Sequence, residues 1–342
     1  MSASKKIFGL FSGGLDSILS CKLMCDLGFD VEALYFSTLF QKFKNFDDLP
    51  NNYFFDCVNG NFKIRTIDIN DKFLEIVKKP KFGYGKNINP CIDCKILFLN
   101  EALEIMRREN GLFVFTGEVL GQRPKSQKKN TLLQISKNTS GAGYIVRPLS
   151  GKLLPPTIPE IKGIIKRDAL LEISGRSREI QTELAKKLNL RNYGQPAGGC
   201  LLTDKRFSEK LKHLLENNLF TKKQIEYLKL GRNYAFDNKY KIIVGRIEKE
   251  NDLIEFNADV NDLLFTVDEV PSPTTIILSD EKLDLKENEE LILTAAKLTV
   301  KYSDKKNTDI YKVRVFNKTT EKLSEISINK NDLNFSEKLI FI

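Results

Sequence analysis

Phe11-Ser-Gly-Gly-Leu-Asp-Ser17 decides how the first half of the chain is read. The apolar run Ile7-Phe8-Gly9-Leu10-Phe11 leads into it and reads as a parallel strand buried on both faces. A helical pattern over residues 18–27 follows. Strand, glycine-rich turn and helix start together make an anion site. Gly13 and Gly14 let backbone N–H groups crowd round a phosphate, and the helix dipole favours its charge. Ser12 and Ser17 add hydroxyl donors, and Asp16 is placed to hold a magnesium ion beside the phosphates. The stretch is neither G-x-x-x-x-G-K-[ST] nor G-x-G-x-x-G.

Strand and helix patterns alternate through the first 200 residues, which predicts an α/β fold built on a doubly wound parallel sheet. Further strands are expected at residues 31–36, 63–69 and 112–116, helices at 71–78 and 91–110, and a loop at 81–89. Ligands of open α/β sheets bind beyond the carboxyl ends of the strands. The 12–17 turn, the segment after Phe36 and the loop at Gly117 are therefore expected to gather there. Next come a basic loop, Gly121-Gln-Arg-Pro-Lys-Ser-Gln-Lys-Lys129, and a helical stretch around residues 132–135. Residues 147–156, punctuated by prolines, are expected to lie over the surface, with helices at 158–173 and 177–188 and a turn at 193–199.

A change of composition after Leu202 sets the expected domains: 1–202, a helical connector at 203–230, and 231–342. Period-two patterns at 241–247, 252–256, 274–278, 291–293, 299–302 and 311–316 predict a smaller α+β, β-rich C-terminal domain, with a flexible tip at 303–308.

At 342 residues the chain has material for two cores. It shows no leader and no apolar run long enough to span a bilayer, so a cytoplasmic protein without a membrane partner is expected. In that compartment its six cysteines read as ligands, nucleophiles or core residues rather than disulfides. A single histidine, His213, reads as solvated and argues against histidine triads and histidine-rich metal sites. The net charge of +9 is concentrated: residues 119–191 carry fifteen Lys/Arg against five Asp/Glu, and the remainder is close to neutral. Such a block suggests a nucleic-acid footprint, with Arg123, Lys125, Lys128 and Lys129 as the RNA-contacting candidates.

Asn89-Pro-Cys91-Ile-Asp-Cys94 sets two thiols three apart at a helix start, where the dipole favours thiolate. No second C-x-x-C exists, which argues against a closed four-ligand zinc site. The remaining candidate is Cys200, in Pro196-Ala-Gly-Gly-Cys200. Three thiolates can ligate three irons of a [4Fe–4S] cluster and leave the fourth open to carry a sulfide. The same three residues can instead run a persulfide relay. Cys21 and Cys25, four apart on the first helix, and the isolated Cys57 read as small core residues.

The SGGLDS, NPCIDC, TGEVLGQRPKSQ and PAGGCLLTD stretches together resemble the tRNA thiouridine synthases of the PP-loop ATP pyrophosphatases, nearest in look to the ThiI family, over residues 5–202. The resemblance implies an ATP-dependent tRNA sulfurtransferase, with ATP at Ser12, Gly13, Gly14, Asp16, Ser17, Phe36 and Gly117. ATP would adenylate a uridine carbonyl oxygen with loss of pyrophosphate, and sulfur would displace AMP, 4-thiouridine being the expected product. Asp16, Cys91, Cys94 and Cys200 carry the chemistry in this reading, with Mg²⁺ and a [4Fe–4S] cluster on the three cysteines. The partners implied are tRNA and a sulfur donor, either sulfide or a cysteine desulfurase; oligomeric state, homodimer included, stays open. ThiI proper opens with an RNA-binding region, whereas this chain opens at the catalytic strand, so tRNA is expected to be gripped elsewhere. Val244-Gly-Arg-Ile-Glu-Lys-Glu-Asn251 resembles the RNA-binding region of NFACT proteins. Competing classes are a PP-loop ligase or amidotransferase on a small molecule, and a non-catalytic RNA-binding protein that kept a nucleotide fold.

Overall fold

A computed structural model describes residues 5–41, 53–57, 60–190, 199–304 and 309–342. The chain divides into two compact units, Met1–Asp204 and Lys205–Ile342.

In the first unit the elements run β1 (Lys6–Phe11), α1 (Leu15–Asp26), β2 (Asp30–Ser37), β3 (Tyr53–Cys57), β4 (Gly60–Asp68), α2 (Asn70–Lys78), α3 (Cys91–Arg108), β5 (Val114–Thr116), α4 (Lys129–Lys137), β6 (Ile145–Val146), α5 (Ile158–Ile161) and α6 (Glu179–Lys187). They form the parallel α/β sheet expected, in the order β3-β4-β2-β1-β5-β6; only the β3–β4 edge pair is antiparallel. β1 is central because Ile7 and Phe8 are fully buried on opposite faces. Ile7 and Phe11 pack with Ile18, Cys21 and Met24 of α1. Cys21 is thus a core residue, and Cys25 packs partly buried against the same cluster.

Two expectations fail here. The long helix at 158–173 is the single turn α5, started by a Thr157–Glu160 capping box and stopped at Gly163, whose φ is +69°. Arg167 then folds back to Glu160 at 2.7 Å and to the carbonyls of Lys152 and Leu154 at 2.9 Å each. The segment from Arg147 to Ser150 does not lie over the surface but is buried, because its polar groups find partners inside. The Ser150 hydroxyl donates to the Ile173 carbonyl at 2.6 Å and accepts from the Leu120 N–H at 2.9 Å. Pro196, Ala197 and Gly198, with the rest of the 193–198 turn, lie outside the described residues, as does the 305–308 part of the expected tip.

The second unit begins with α7 (Lys205–Glu216) and α8 (Lys222–Tyr227), and continues β7 (Arg232–Phe236), β8 (Tyr240–Val244), α9 (Glu248–Asn257), β9 (Leu263–Val267), β10 (Thr275–Leu278), α10 (Glu289–Lys301), β11 (Ile310–Asn317), β12 (Thr320–Asn329) and β13 (Leu339–Phe341). Its strands make an antiparallel sheet in the order β12-β11-β9-β10-β8-β7-β13. α10 covers one face through Leu291, Ile292 and Ala295; Tyr227 and Ile254 cover the other. The expected strands at 252–256, 291–293 and 299–302 are therefore helical, in α9 and α10. Thr, Ile and Val in α10 imitate a strand, but the helix buries them nearly all round, and Thr299 returns its hydroxyl to the Ala295 carbonyl at 2.9 Å. His213 is half-buried, with Nε2 3.1 Å from Asn238 Oδ1.

At the amino ends of the first sheet, Glu32 is buried on β2 and receives Lys6 at 2.9 Å and Arg65 at 2.6 Å. Arg65 and Lys6 each also reach Glu109 at 2.7 Å. Arg65 holds the Glu109 carboxyl down at about 2, against the smaller upward push of burial. Burial alone would raise Glu32, but Lys6 and Arg65 outweigh it and hold it below the ordinary range. Depressed carboxyls contribute stability that is full above their unfolded values and is lost as pH falls towards about 2. Arg65→Ala should therefore cost about 2–4 kcal/mol near neutrality by leaving Glu32 short of a partner. Urea melts between pH 6 and pH 3 should show wild type losing stability more steeply than the variant.

Candidate active site

β1 ends at Phe11 and α1 starts at Leu15, so three residues turn the chain. Gly13 does so at φ +71°, and Gly14 enters the helix extended, with no side chain capping it. The Ser17 N–H returns to the Gly14 carbonyl at 3.0 Å, and among the described residues the N–H groups of Leu15 and Asp16 are left to a ligand or water. The Ser17 hydroxyl donates to the Gly14 carbonyl at 2.7 Å, and the Ser12 N–H and hydroxyl both point to Ser17 Oγ at 3.4 Å. Ser17 therefore shapes the turn, while Ser12 stands exposed at its mouth.

Asp16 Oδ2 accepts from Gln122 Nε2 at 2.9 Å and lies 3.6 Å from the Arg178 guanidinium. Its Oδ1 is buried without a hydrogen-bond partner among the described residues. An orphaned carboxylate oxygen beside a phosphate-shaped turn fits a magnesium ion held by one protein oxygen and the phosphates. Arg178 also lines an open cavity of about 510 Å³ with Ser177, Glu179, Thr182, Glu183 and Lys186.

Gly117 follows β5 and packs against the start of α1 so closely that a Cβ there would lie 2.7 Å from the Asp16 carbonyl and from the Ser17 nitrogen. The next residue, Glu118, binds Lys95 of α3 and Arg147, the latter at 2.9 Å. Burial would push the Glu118 carboxyl up, but Lys95 and Arg147 together hold it at about 2. Arg147, itself buried, also donates to Ser136 Oγ at 3.2 Å. Phe36 is brought to the same end of the sheet, but its ring is buried and stacks on Phe98 with centroids 4.9 Å apart. Its side chain therefore does not face a ligand, and its carbonyl accepts from Gln41 Nε2 at 2.9 Å.

Cys91 and Cys94 open α3, with Lys95 directly after Cys94 and one turn beyond Cys91. Asp93 between them takes the N–H groups of Lys81 and Phe82 at 2.9 and 3.1 Å, which folds the 81–89 loop onto the helix start. Cys200 arrives from the far end of the unit. The Leu201 N–H donates to the Phe40 carbonyl at 2.7 Å, and Cys200 bridges Gln41 just after β2. Asn89 Oδ1 accepts from Cys91 Sγ at 3.1 Å, and its Nδ2 donates to Cys200 Sγ at 3.6 Å. Burial, then the neighbouring Cys200 and Cys91, push the Cys94 thiol well up. Burial also raises Cys91, against the pull of Lys95, Arg123 and Lys125. All three thiols are free of disulfides.

Among the described residues no three His, Cys, Asp or Glu side chains stand ready for a single metal ion. In a [4Fe–4S] cluster each thiolate takes its own iron, so its ligands stand wider apart than the donors of one ion. Three thiols converging from two segments, with cations beside them, fit that group.

The 121–129 loop is closed by Gly121 N–H to Gln127 carbonyl at 2.8 Å. Ser126 and Gln127 are buried under it, so Arg123, Lys125, Lys128 and Lys129 are turned outward. None of the four makes an ion pair among the described residues, whereas Arg147, Arg167 and Arg178 of the same basic block are spent on carboxylates. Lys128 and Lys129 sit at the positive end of α4, an unfavourable place for a cation without an anionic partner. Sequence reasoning missed Asn89, Lys95, Glu118, Gln122, Arg147 and Arg178. Asn89, Glu118 and Gln122 lie inside the quoted motifs; for Arg147 and Arg178 no local pattern marks the role.

Residues 2–187, just over half of the chain, match the family model described as "Thiamine biosynthesis protein (ThiI)". Residues 231–336 match the "NFACT protein RNA binding domain". The tRNA-specific 2-thiouridylase MnmA of Campylobacter hominis is 25% identical over 171 residues, 48% of this chain and 44% of that protein, so the chain aligns with less than half of that relative. A 4-thiouridine synthetase–RNA complex with bound ATP is similar at 18% identity and a TM-score of 0.36, over 64% of this chain and 53% of that one. The C-terminal part of the fibronectin/fibrinogen-binding protein of Streptococcus suis gives 13% identity and a TM-score of 0.24, over 70% and 89%.

Gly117→Ala should force the Asp16–Ser17 backbone aside at a cost of about 1–3 kcal/mol. ATP affinity, measured by calorimetry on folded protein, should fall at least about tenfold, with Gly111→Ala, whose Cβ would meet Phe8 towards the opposite end of the sheet, as a destabilised comparison.

Proposed function

The chain belongs to the ThiI family, and from that premise we propose that it is a cytoplasmic, ATP-dependent tRNA sulfurtransferase that converts a uridine to thiouridine, 4-thiouridine being favoured. One observation carries the reading. The segments bearing Asp16 and the three cysteines are tied into one end of the sheet, through Gly117 against α1, Glu118 with Lys95, and Asn89 between Cys91 and Cys200.

The N–H groups of Leu15 and Asp16 at the start of α1, with the Gly13–Gly14 backbone beside them, bind the ATP phosphates, aided by the helix dipole. Asp16 would hold Mg²⁺, which would supply charge neutralisation of the phosphates, and Arg178 offsets charge on the leaving pyrophosphate. The uridine carbonyl oxygen attacks the α-phosphorus, the bond to the pyrophosphate oxygen breaks, and the base becomes an adenylate. Sulfur then bonds to the base carbon, and AMP leaves with the former carbonyl oxygen. No histidine base is needed, since the carbonyl has no proton to lose. Cys91, Cys94 and Cys200 would hold a [4Fe–4S] cluster, which supplies an open iron able to carry sulfide. Sulfide or a cysteine desulfurase is the donor class. A persulfide relay over the same residues is the second reading, supported by the shared Asn89 contact; iron and sulfide analysis after anaerobic purification separates the two. Arg123, Lys125, Lys128 and Lys129 contact the tRNA backbone, and residues 231–336 supply further RNA contact.

Asp16→Asn should lower thiolation by about 100-fold or more while tRNA binding persists, read by nucleoside mass spectrometry and filter binding. Unchanged thiolation would remove the adenylation step. Replacing Arg123, Lys125, Lys128 and Lys129 together by Ala should weaken tRNA binding and flatten the slope of log affinity on log salt by up to about 3. An unaltered slope moves the RNA contact off this loop.

A further inference from the structure

Asn89 is 5% exposed, so both halves of its amide need protein partners. Those partners are sulfur: Oδ1 faces Cys91 at 3.1 Å and Nδ2 faces Cys200 at 3.6 Å. Its backbone is fixed by the Gly85 N–H, which donates to the Asn89 carbonyl at 2.7 Å, and by its own N–H to the Lys86 carbonyl at 3.3 Å. Two residues earlier Asn87, at φ +54°, sends Nδ2 to the Thr203 carbonyl at 2.9 Å. One short loop thus grips the 200–203 segment at two points. That grip is needed, because Cys200 lies 111 residues from Asn89 and sits on a single β-bridge and a 3₁₀ turn rather than on a long element.

We propose that Asn89 is a positioning residue that docks the Cys200 sulfur against the Cys91–Cys94 pair and gives it an N–H···S hydrogen bond. The side chain suits this task because in the metal-free thiol state one planar amide offers an acceptor to Cys91 and a donor to Cys200, and the donor alone persists once the cysteines are thiolates. Aspartate would keep the acceptor, lose the donor and set a negative charge against the sulfurs. The spectroscopic part of the inference rests on the cluster reading given above; the docking part does not.

Asn89→Ala and Asn89→Asp are compared with wild type as full-length protein, with circular dichroism to establish folding. In metal-stripped protein, diamide oxidises Cys91 and Cys200 to a disulfide and is itself reduced, and peptide mass spectrometry follows that cross-link. Its rate should fall about tenfold in both variants; an unchanged rate in both overturns the docking role, whatever the iron content. After anaerobic loading with ferrous iron and sulfide, chelator release should be about 10–100-fold faster in the variants. The midpoint potential, followed in the visible absorbance, should drop in both and further in Asn89→Asp, because an N–H donor stabilises the more negative reduced state. An unchanged potential overturns the hydrogen bond. Wild type that takes up no iron sinks the cluster reading alone, and the cross-linking rate then decides the role of Asn89.

Discussion

The reactive end of the first unit depends on how closely two backbones approach. Gly117, at the end of β5, leaves no space for even a methyl group against Asp16 and Ser17. That contact fixes the phosphate turn relative to the neighbouring strand across the gap between β1 and β5, where the order of strands reverses. Ligands of open α/β sheets sit at such a reversal. Sheet topology supplies the crevice, and the missing side chain sets its floor.

Glu118 extends that constraint to the cysteines. A carboxylate buried this deeply is tolerable only with its charge matched, and Lys95 and Arg147 match it. Lys95 lies one residue beyond Cys94, so the pair that steadies the loop after β5 also fixes the rotation of α3 about its axis. The direction in which Cys91 and Cys94 present their sulfurs follows from a charge balance some 25 residues downstream.

Legibility tracked how local the deciding physics was. The 12–17 turn and β1 were readable because apolar run, glycines and helix start adjoin in sequence. The C-x-x-C pair was readable for the same reason. Arg147 was not: a solitary arginine before a proline gives no hint that Glu118 and Ser136 await it inside. Phe36 was placed at the right end of the sheet, yet its ring belongs to the core, because Phe98 comes from a helix whose docking no local pattern reveals. In the second unit the β-branched residues of α10 suggested strands, and burial on nearly every side erased the helical period that would have corrected them. Cys200 was joined to Cys91 and Cys94 by elimination and by its glycine-rich setting, and Asn89 now stands between the sulfurs of Cys91 and Cys200.

The charged lattice of Lys6, Glu32, Arg65 and Glu109 sits at the opposite end of the strands from the phosphate turn. Glu32, the carboxylate these cations share, is level with Phe8 on β1, so about 10 Å of strand at about 3.3 Å per residue separates it from Phe11. Because the lattice touches neither Asp16 nor the cysteines, heat tolerance has a handle of its own in these four residues. A lineage moving to a warmer or colder habitat could adjust that lattice and leave the nucleotide crevice as it is.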